Sequence, residues 1–182
     1  MQNLVNQVKN ANISDNDRSE ILRILAKYTP SGGGATLHAD GSARNGSGLN
    51  YVGIGGVIHI RGELETVYSQ AVLSCPATNN TAELLAIEFG LNYLSDKVTE
   101  FDTIRVFSDS QFAVGVLTTW TAKDAHNRII VGRIQKITNA MALSGVSVKY
   151  QRTDDSNKYI KMAHHNAKDG LEKGDVEYGN DN

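Results

Sequence analysis

The order in which two hydrophobic periodicities follow one another constrains this chain most. From Ala35 onward three β-rich runs come in succession, "ATLHAD", "YVGIGGVIHI" and "ELETVYSQAVL", separated by Gly-containing turns. Such runs predict an antiparallel meander. A helical pattern follows over about Asn80 to Ser95, with Leu84, Leu85, Ile87 and Leu91 at helical spacing. "TIRVFSD" is then a short strand of the buried kind, "SQFAVGVLTTW" a second helix, and a third helix runs from about Ala125 to Leu143. "VSVKYQR" is a fifth strand, and His164 to Lys173 a last short helix. The order βββαβααβα predicts an α/β fold, a mixed five-stranded sheet flanked by helices. The single-helix crossover into "TIRVF" favours a parallel pairing beside the meander.

Ahead of the meander the pattern is helical. Leu4, Val5 and Val8 give a short apolar face, and Ser14 is placed as an N-cap before Ile21, Leu22, Ile24 and Leu25. Pro30 and "SGGG" end this unit with a linker. Two short helices cannot bury their apolar stripes alone, so they are expected to pack on the main domain, a partner protein or a second copy. The domain reading is therefore a helical extension over 1–30, a Gly-rich linker over 31–35, one domain over 36–173 and a flexible tail over 174–182. A chain of 182 residues suffices for one such core. The lone cysteine, Cys75, excludes an internal disulfide framework. No apolar run approaches a membrane span, and "MQNLVNQVKN" lacks the regions of a signal peptide, so the expectation is a cytoplasmic protein. With a net charge of -2, any nucleic-acid binding must rest on local charge.

Four acids fall at element ends or in helix turns. Asp40 ends the first strand in "HADGS", Glu83 lies in the first turn of the first core helix, Asp109 closes the fourth strand, and Asp169 sits in the last helix. Ligands of open α/β sheets bind beyond the carboxyl ends of strands. Asp40 and Asp109, on strands about 5 Å apart if these pair, can then share a hard divalent cation such as Mg²⁺. Each acid also has a structural explanation. Asn80-x-x-Glu83 fits a capping-box variant, Asp109 can cap the helix after it, Asp40-Gly41 is a common turn pair, and Asp169 beside Lys168 reads as a solvated helix residue.

With "DGS" at Asp40 to Ser42, "TNNTAEL" at Thr78 to Leu84 and "DSQ" at Asp109 to Gln111, the chain resembles the type 1 ribonuclease H family over roughly residues 35 to 173. The Gly-rich "GIGGVI" second strand and Trp120 after the second helix agree with it. The resemblance implies a ribonuclease-H-like fold and hydrolysis of the RNA strand of RNA–DNA hybrids, leaving 5′-phosphate and 3′-hydroxyl ends. It implies two Mg²⁺ ions, with Mn²⁺ as a possible substitute, held by Asp40, Glu83, Asp109 and a fourth acid. Asn79, Asn80, Ser110 and Gln111, with Gly41 and Ser42 of the first motif, match positions that contact the hybrid.

The departures lie near the C-terminus, in "RTDDSNKYIKMAHHNAKDGLEKG". Asp169, followed by Gly170 and Leu171, is favoured as the fourth acid, although Asn166 stands one position closer than the family spacing. Asp154 and Asp155, directly after strand five, are rivals. His165, or His164 beside it, is the candidate for the family's mobile histidine, which assists proton transfer or product departure. The family's basic insertion after the tryptophan is missing, since "TAKDAHNR" is short. Lys123, Arg128, Arg133 and Lys136 against Asp124 leave a local positive surplus, as does the stretch from Lys149 to Lys173. Arg18, Arg23 and Lys27 give the N-terminal helices a basic character that suits added substrate binding or a partner. Two further readings stay open: a related nuclease with another nucleic-acid substrate, and a non-catalytic binding module of the same fold.

Overall fold

Alternation along the strands divides the sheet into two unlike faces. The computed structural model describes residues 7–28, 33–44 and 50–178. After α1 (Asp15–Tyr28) come β1 (Gly34–Ser42), β2 (Tyr51–Ile60), β3 (Glu63–Leu73), α2 (Asn79–Ser95), β4 (Thr103–Ser108), α3 (Gln111–Thr118), α4 (Ala125–Leu143), β5 (Ser147–Arg152) and α5 (Lys158–Glu177). The spatial order is β3-β2-β1-β4-β5. β1 pairs antiparallel with β2 and β2 with β3, whereas β1–β4 and β4–β5 are parallel. The mixed sheet expected from the sequence is the one formed. No helix among the described residues is long and apolar enough to cross a membrane.

On one face Ala35, Leu37 and Ala39 of β1 join Ile104 and Val106 of β4 in a core completed by Leu84, Ile87, Leu91 and Leu94 of α2 and Ile130 and Ile134 of α4. The other face carries His38 and Asp40, and α5 lies across β1, β2 and β3 there. Its approach is unusually close. A Cβ at Gly55 would stand 2.3 Å from both the Ala163 carbonyl oxygen and the Ala167 nitrogen. Glycine in β2 is thus what lets helix backbone rest directly on strand backbone.

Three boundaries differ from the sequence reading. β1 continues to Ser42, so Asp40 lies two residues inside the strand rather than at its end. The last helix is 20 residues long and begins at Lys158, capped by Asn157, whose Oδ1 accepts from the Tyr159 amide at 2.9 Å. It also runs to Glu177, four residues into the segment read as a tail. Gly174 is buried, with Tyr51 standing where its Cβ would be, and Asp175 takes both Arg44 Nη atoms at 2.7 Å as well as the Tyr51 hydroxyl. At the N-terminus Ser14 does cap α1, its Oγ accepting from the Asp17 amide at 3.1 Å. The bonds of Ala11, Ile13, Ser14, Asp17 and Arg18 stay within this segment. Residues 1–6 and Pro30 to Gly32 of the linker lie outside the described residues, as do the last residues of the tail.

Candidate active site

The register of two parallel strands brings the first two acids together. His38 and Phe107 are the last paired residues of β1 and β4; Asp40 and Asp109 stand two residues beyond each, on the same face and at the same level. Glu83 arrives from the other direction, on α2. Gly41 makes that possible, because its Cβ would lie 2.1 Å from the Ala82 carbonyl carbon and 2.3 Å from the Glu83 nitrogen. One carboxylate oxygen from each of Asp40, Glu83 and Asp109 lies within 4.8 Å of the other two.

Neither acid needed explanation as a cap. Thr78 is the N-cap of α2, its Oγ1 accepting from the Thr81 amide at 3.2 Å, which puts Glu83 in the second turn and overturns the Asn80 capping box. Ser110 caps α3 through its Oγ and the Ala113 amide at 3.1 Å, leaving Asp109 free of that role. The buried Ser108 went unnoticed in the sequence. It donates to Glu83 Oε2 at 3.4 Å and accepts from the Ser110 amide at 3.1 Å, tying the helix acid to the β4–α3 turn.

The electrostatics of the group suit a cation. Burial, then the charges of Asp40 and Asp109, then a hydrogen bond with Asp40 hold the Glu83 carboxyl well above its usual range. Burial, the charge of Asp40 and contact with Asp155 raise Asp109 as well. Repulsion between neighbouring carboxylates of this kind is relieved when a divalent ion binds between them. All-oxygen donors of this kind suit Mg²⁺ or Mn²⁺.

The fourth acid is where the sequence reading departs from the geometry. Asp169 lies outside the group. It is partly exposed, and its carboxylate faces His165 Nε2 at 3.5 Å one turn away on the same helix. His165 is the more exposed of the two histidines and does not touch the acids. Asp155 lies beside Asp109, whose carboxyl its charge helps to raise, though like Asp169 it stands outside the group of three; Asp154 is turned into its own loop, accepting from the Ser156 amide at 2.8 Å. His164 Nδ1 donates to Asp40 Oδ2 at 2.7 Å. Asp109, Asp155, Ile160, Lys161 and His164 line a cavity of about 250 Å³ beside the acids. The overlooked signal is Asn157: taken as a helix cap, it starts α5 early and sets Lys161 and His164 three apart on one side.

The expected substrate contacts frame this group. Asn80 and Gln111 are exposed at the starts of α2 and α3, with Ser110 half-buried between Asp109 and Gln111. Asn79 Oδ1 accepts from the Ala43 amide at 3.0 Å, pinning the chain after Gly41 and Ser42 to the helix start. Of the basic residues after Trp120, Arg133 is held by both Glu88 oxygens at 2.6 and 2.7 Å, and Arg128 folds onto the Ala122 and Lys123 carbonyls.

With this geometry in view, the family model of RNase H matches residues 33–177. The chain belongs to the RNase H family. Solved RNase H structures share its fold at low identity. The RNase H1 of the halophilic archaeon Halobacterium salinarum NRC-1 is 23% identical, with a TM-score of 0.62 over 78% of this chain and 99% of that one. LC11-RNase H1, isolated from compost by a metagenomic approach, is 21% identical, with a TM-score of 0.64 over 78% of this chain and 98% of its own. The same LC11 enzyme in complex with an RNA/DNA hybrid aligns at 20% identity and a TM-score of 0.57, covering 75% and 99%. A comparison with curated proteins finds no significant match. Asp40, Glu83 and Asp109 of this RNase H chain form an acidic cluster consistent with the family's active site.

Proposed function

We propose that this RNase H is an endonuclease that cuts the RNA strand of RNA–DNA hybrids and leaves 5′-phosphate and 3′-hydroxyl ends. The convergence of Asp40, Glu83 and Asp109 within 4.8 Å, in a domain of this family, carries the reading. These three residues would hold the divalent ions, with Asp155 as the fourth carboxylate in place of Asp169. Two such ions, when bound, activate the attacking water and offset charge on the leaving 3′ oxygen. The chain's own residues do the rest. Ser108 donates to the Glu83 carboxylate, and His164 Nδ1 holds Oδ2 of Asp40. His164, half-exposed at the cavity mouth, is also the histidine placed to meet a phosphate oxygen or a departing product. Asn79, Asn80, Ser110 and Gln111, with the Gly41 and Ser42 backbone, offer amides and hydroxyls on both sides of the acids. Such groups suit the 2′-hydroxyls and base edges of a wide minor groove, the feature that separates RNA from DNA.

The test is cleavage of labelled hybrid, duplex RNA, duplex DNA and single strands, with Mg²⁺ or Mn²⁺ and with chelator. Hybrid-selective, chelator-sensitive cutting is expected. Cutting of another substrate alone replaces the reading with a nuclease of different specificity, and no cutting with either ion leaves a binding module.

A further inference from the structure

The parallel half of the sheet is covered on one face only. α3 and α4 pack on β4 and β5 from the core side, while α5 on the other side stops at β1. Among the described residues this leaves the α5-side face of β4 and β5 open. Register fixes what it displays. Thr103 and Ser147 form one row, their hydroxyls 3.2 Å apart; Arg105 and Lys149 form the next, beside Thr36; Phe107 and Gln151 follow, beside His38. Arg105, Lys149 and Gln151 are exposed, and Phe107 is partly so with one side stacked on His38.

The Arg105–Lys149 row is the unusual feature. Two basic residues on register positions of adjacent strands have backbones about 5 Å apart, and like charges directly opposite destabilise a sheet. Neither has an acidic partner within 4.0 Å among the described residues, although the chain as a whole carries a net charge of -2. The face also leads to the acidic site. Arg105 lies four residues before Asp109, about 13 Å along the strand at 3.3 Å per residue, or about four nucleotide steps along a duplex axis. Lys161 stands at the far end, in the wall of the cavity that holds Asp109 and His164. Cations flanked by hydroxyls and an amide, and no acid in the rows, match the contacts that phosphate and sugar oxygens accept.

We propose that the open β4–β5 face is a phosphate-binding track for the nucleic-acid strand leaving the active site, with Arg105 and Lys149 as its charge contacts. The proposal rests on the nucleic-acid reading of the acidic site but assigns residues that reading does not use. It commits to a sugar–phosphate backbone because the row is continuous with the cavity and offers charge and hydrogen bonds without an apolar patch. An acidic protein segment is the occupant the test excludes.

The test is salt-dependent binding of the full chain, in chelator, to a fluorescent RNA–DNA hybrid of about 20 base pairs. Each phosphate contact contributes about 0.9 to the slope of log affinity against log salt. Arg105→Gln/Lys149→Gln is therefore expected to lower that slope by about 2, and to bind hybrid more weakly by a margin that narrows about tenfold from about 50 to about 200 mM salt. Arg105→Lys keeps the slope, since it keeps the charge. An unchanged slope in a double variant with wild-type far-ultraviolet circular dichroism overturns the proposal, as does polyglutamate binding the wild type as tightly as the hybrid does and losing that binding in the double variant. Cleavage by the wild type is scored separately. A lowered slope in a protein that cuts no hybrid retains the track and removes the proposed activity, whereas hybrid cutting with an unchanged slope does the reverse.

Discussion

Glu83 and Asp109 owe their raised carboxyl pKa values first to burial and then to neighbouring acids. A carboxyl that binds its proton more tightly in the folded state costs stability as pH rises above the ordinary carboxylate range and through the raised value. This pair is therefore expected to subtract thermal stability from the metal-free protein as pH rises from about 4, and added Mg²⁺ or Mn²⁺ to restore that part near neutrality but not at about pH 4; thermal melts across pH with and without metal check this. Asp109→Asn removes one of the repelling charges, so it should raise the Tm of the metal-free protein while lowering hybrid cleavage by roughly 10³-fold or more. Retained cleavage in the folded variant would refute the assignment. Asp155→Asn, at the edge of the metal site, is expected to cost about tenfold to a hundredfold in cleavage rate, and Asp169→Asn less than that, both read in the same assay. These contrasts also mark how far single residues were legible. Three acids stood out because each belongs to a short motif beside a strong element boundary. For the fourth acid, local spacing favours Asp169, while Asp154 and Asp155 are legible only as rivals by their place after strand five, because the turn that sets Asp155 beside Asp109 has no periodic signal.

The elements were legible where they bury large side chains. α4 runs over Ala125–Leu143 as read, and α2 begins one residue early. α5 was mistaken for a short helix because its buried positions include Ala163, Ala167, Gly170 and Gly174, small residues that leave little hydrophobic signal. Their size is the condition for its close seat on β2, where Gly53 and Gly55 face it. Gly55→Ala forces a methyl into helix backbone, an overpacking that costs about 1–3 kcal/mol or more. For a chain of this size each kcal/mol lowers Tm by about 2–4 °C, which differential scanning calorimetry measures directly.

Across the whole molecule, the sequence carried the mixed sheet because a meander followed by a one-helix crossover leaves few ways to pair β4. It did not carry how the C-terminal helix closes the structure. Asp175 joins Arg44, just past β1, and Tyr51, which opens β2, so residues read as a tail tie two strands to α5. Ending the chain after Lys173 should therefore lower the Tm, and Asp175→Asn should account for part of that loss in the same melting experiment. The parallel pairing of β1 and β4 has a consequence of its own. Asp40 and Asp109 meet only because both strands count the same number of residues from their last paired position. One residue inserted between His38 and Asp40 would turn the carboxylate into the opposite layer, among the aliphatic side chains. Two would restore its direction but carry it about 7 Å past its partner. The acidic end of this sheet thus works like a vernier, in which length along the chain, more than the shape of any loop, sets whether the marks coincide.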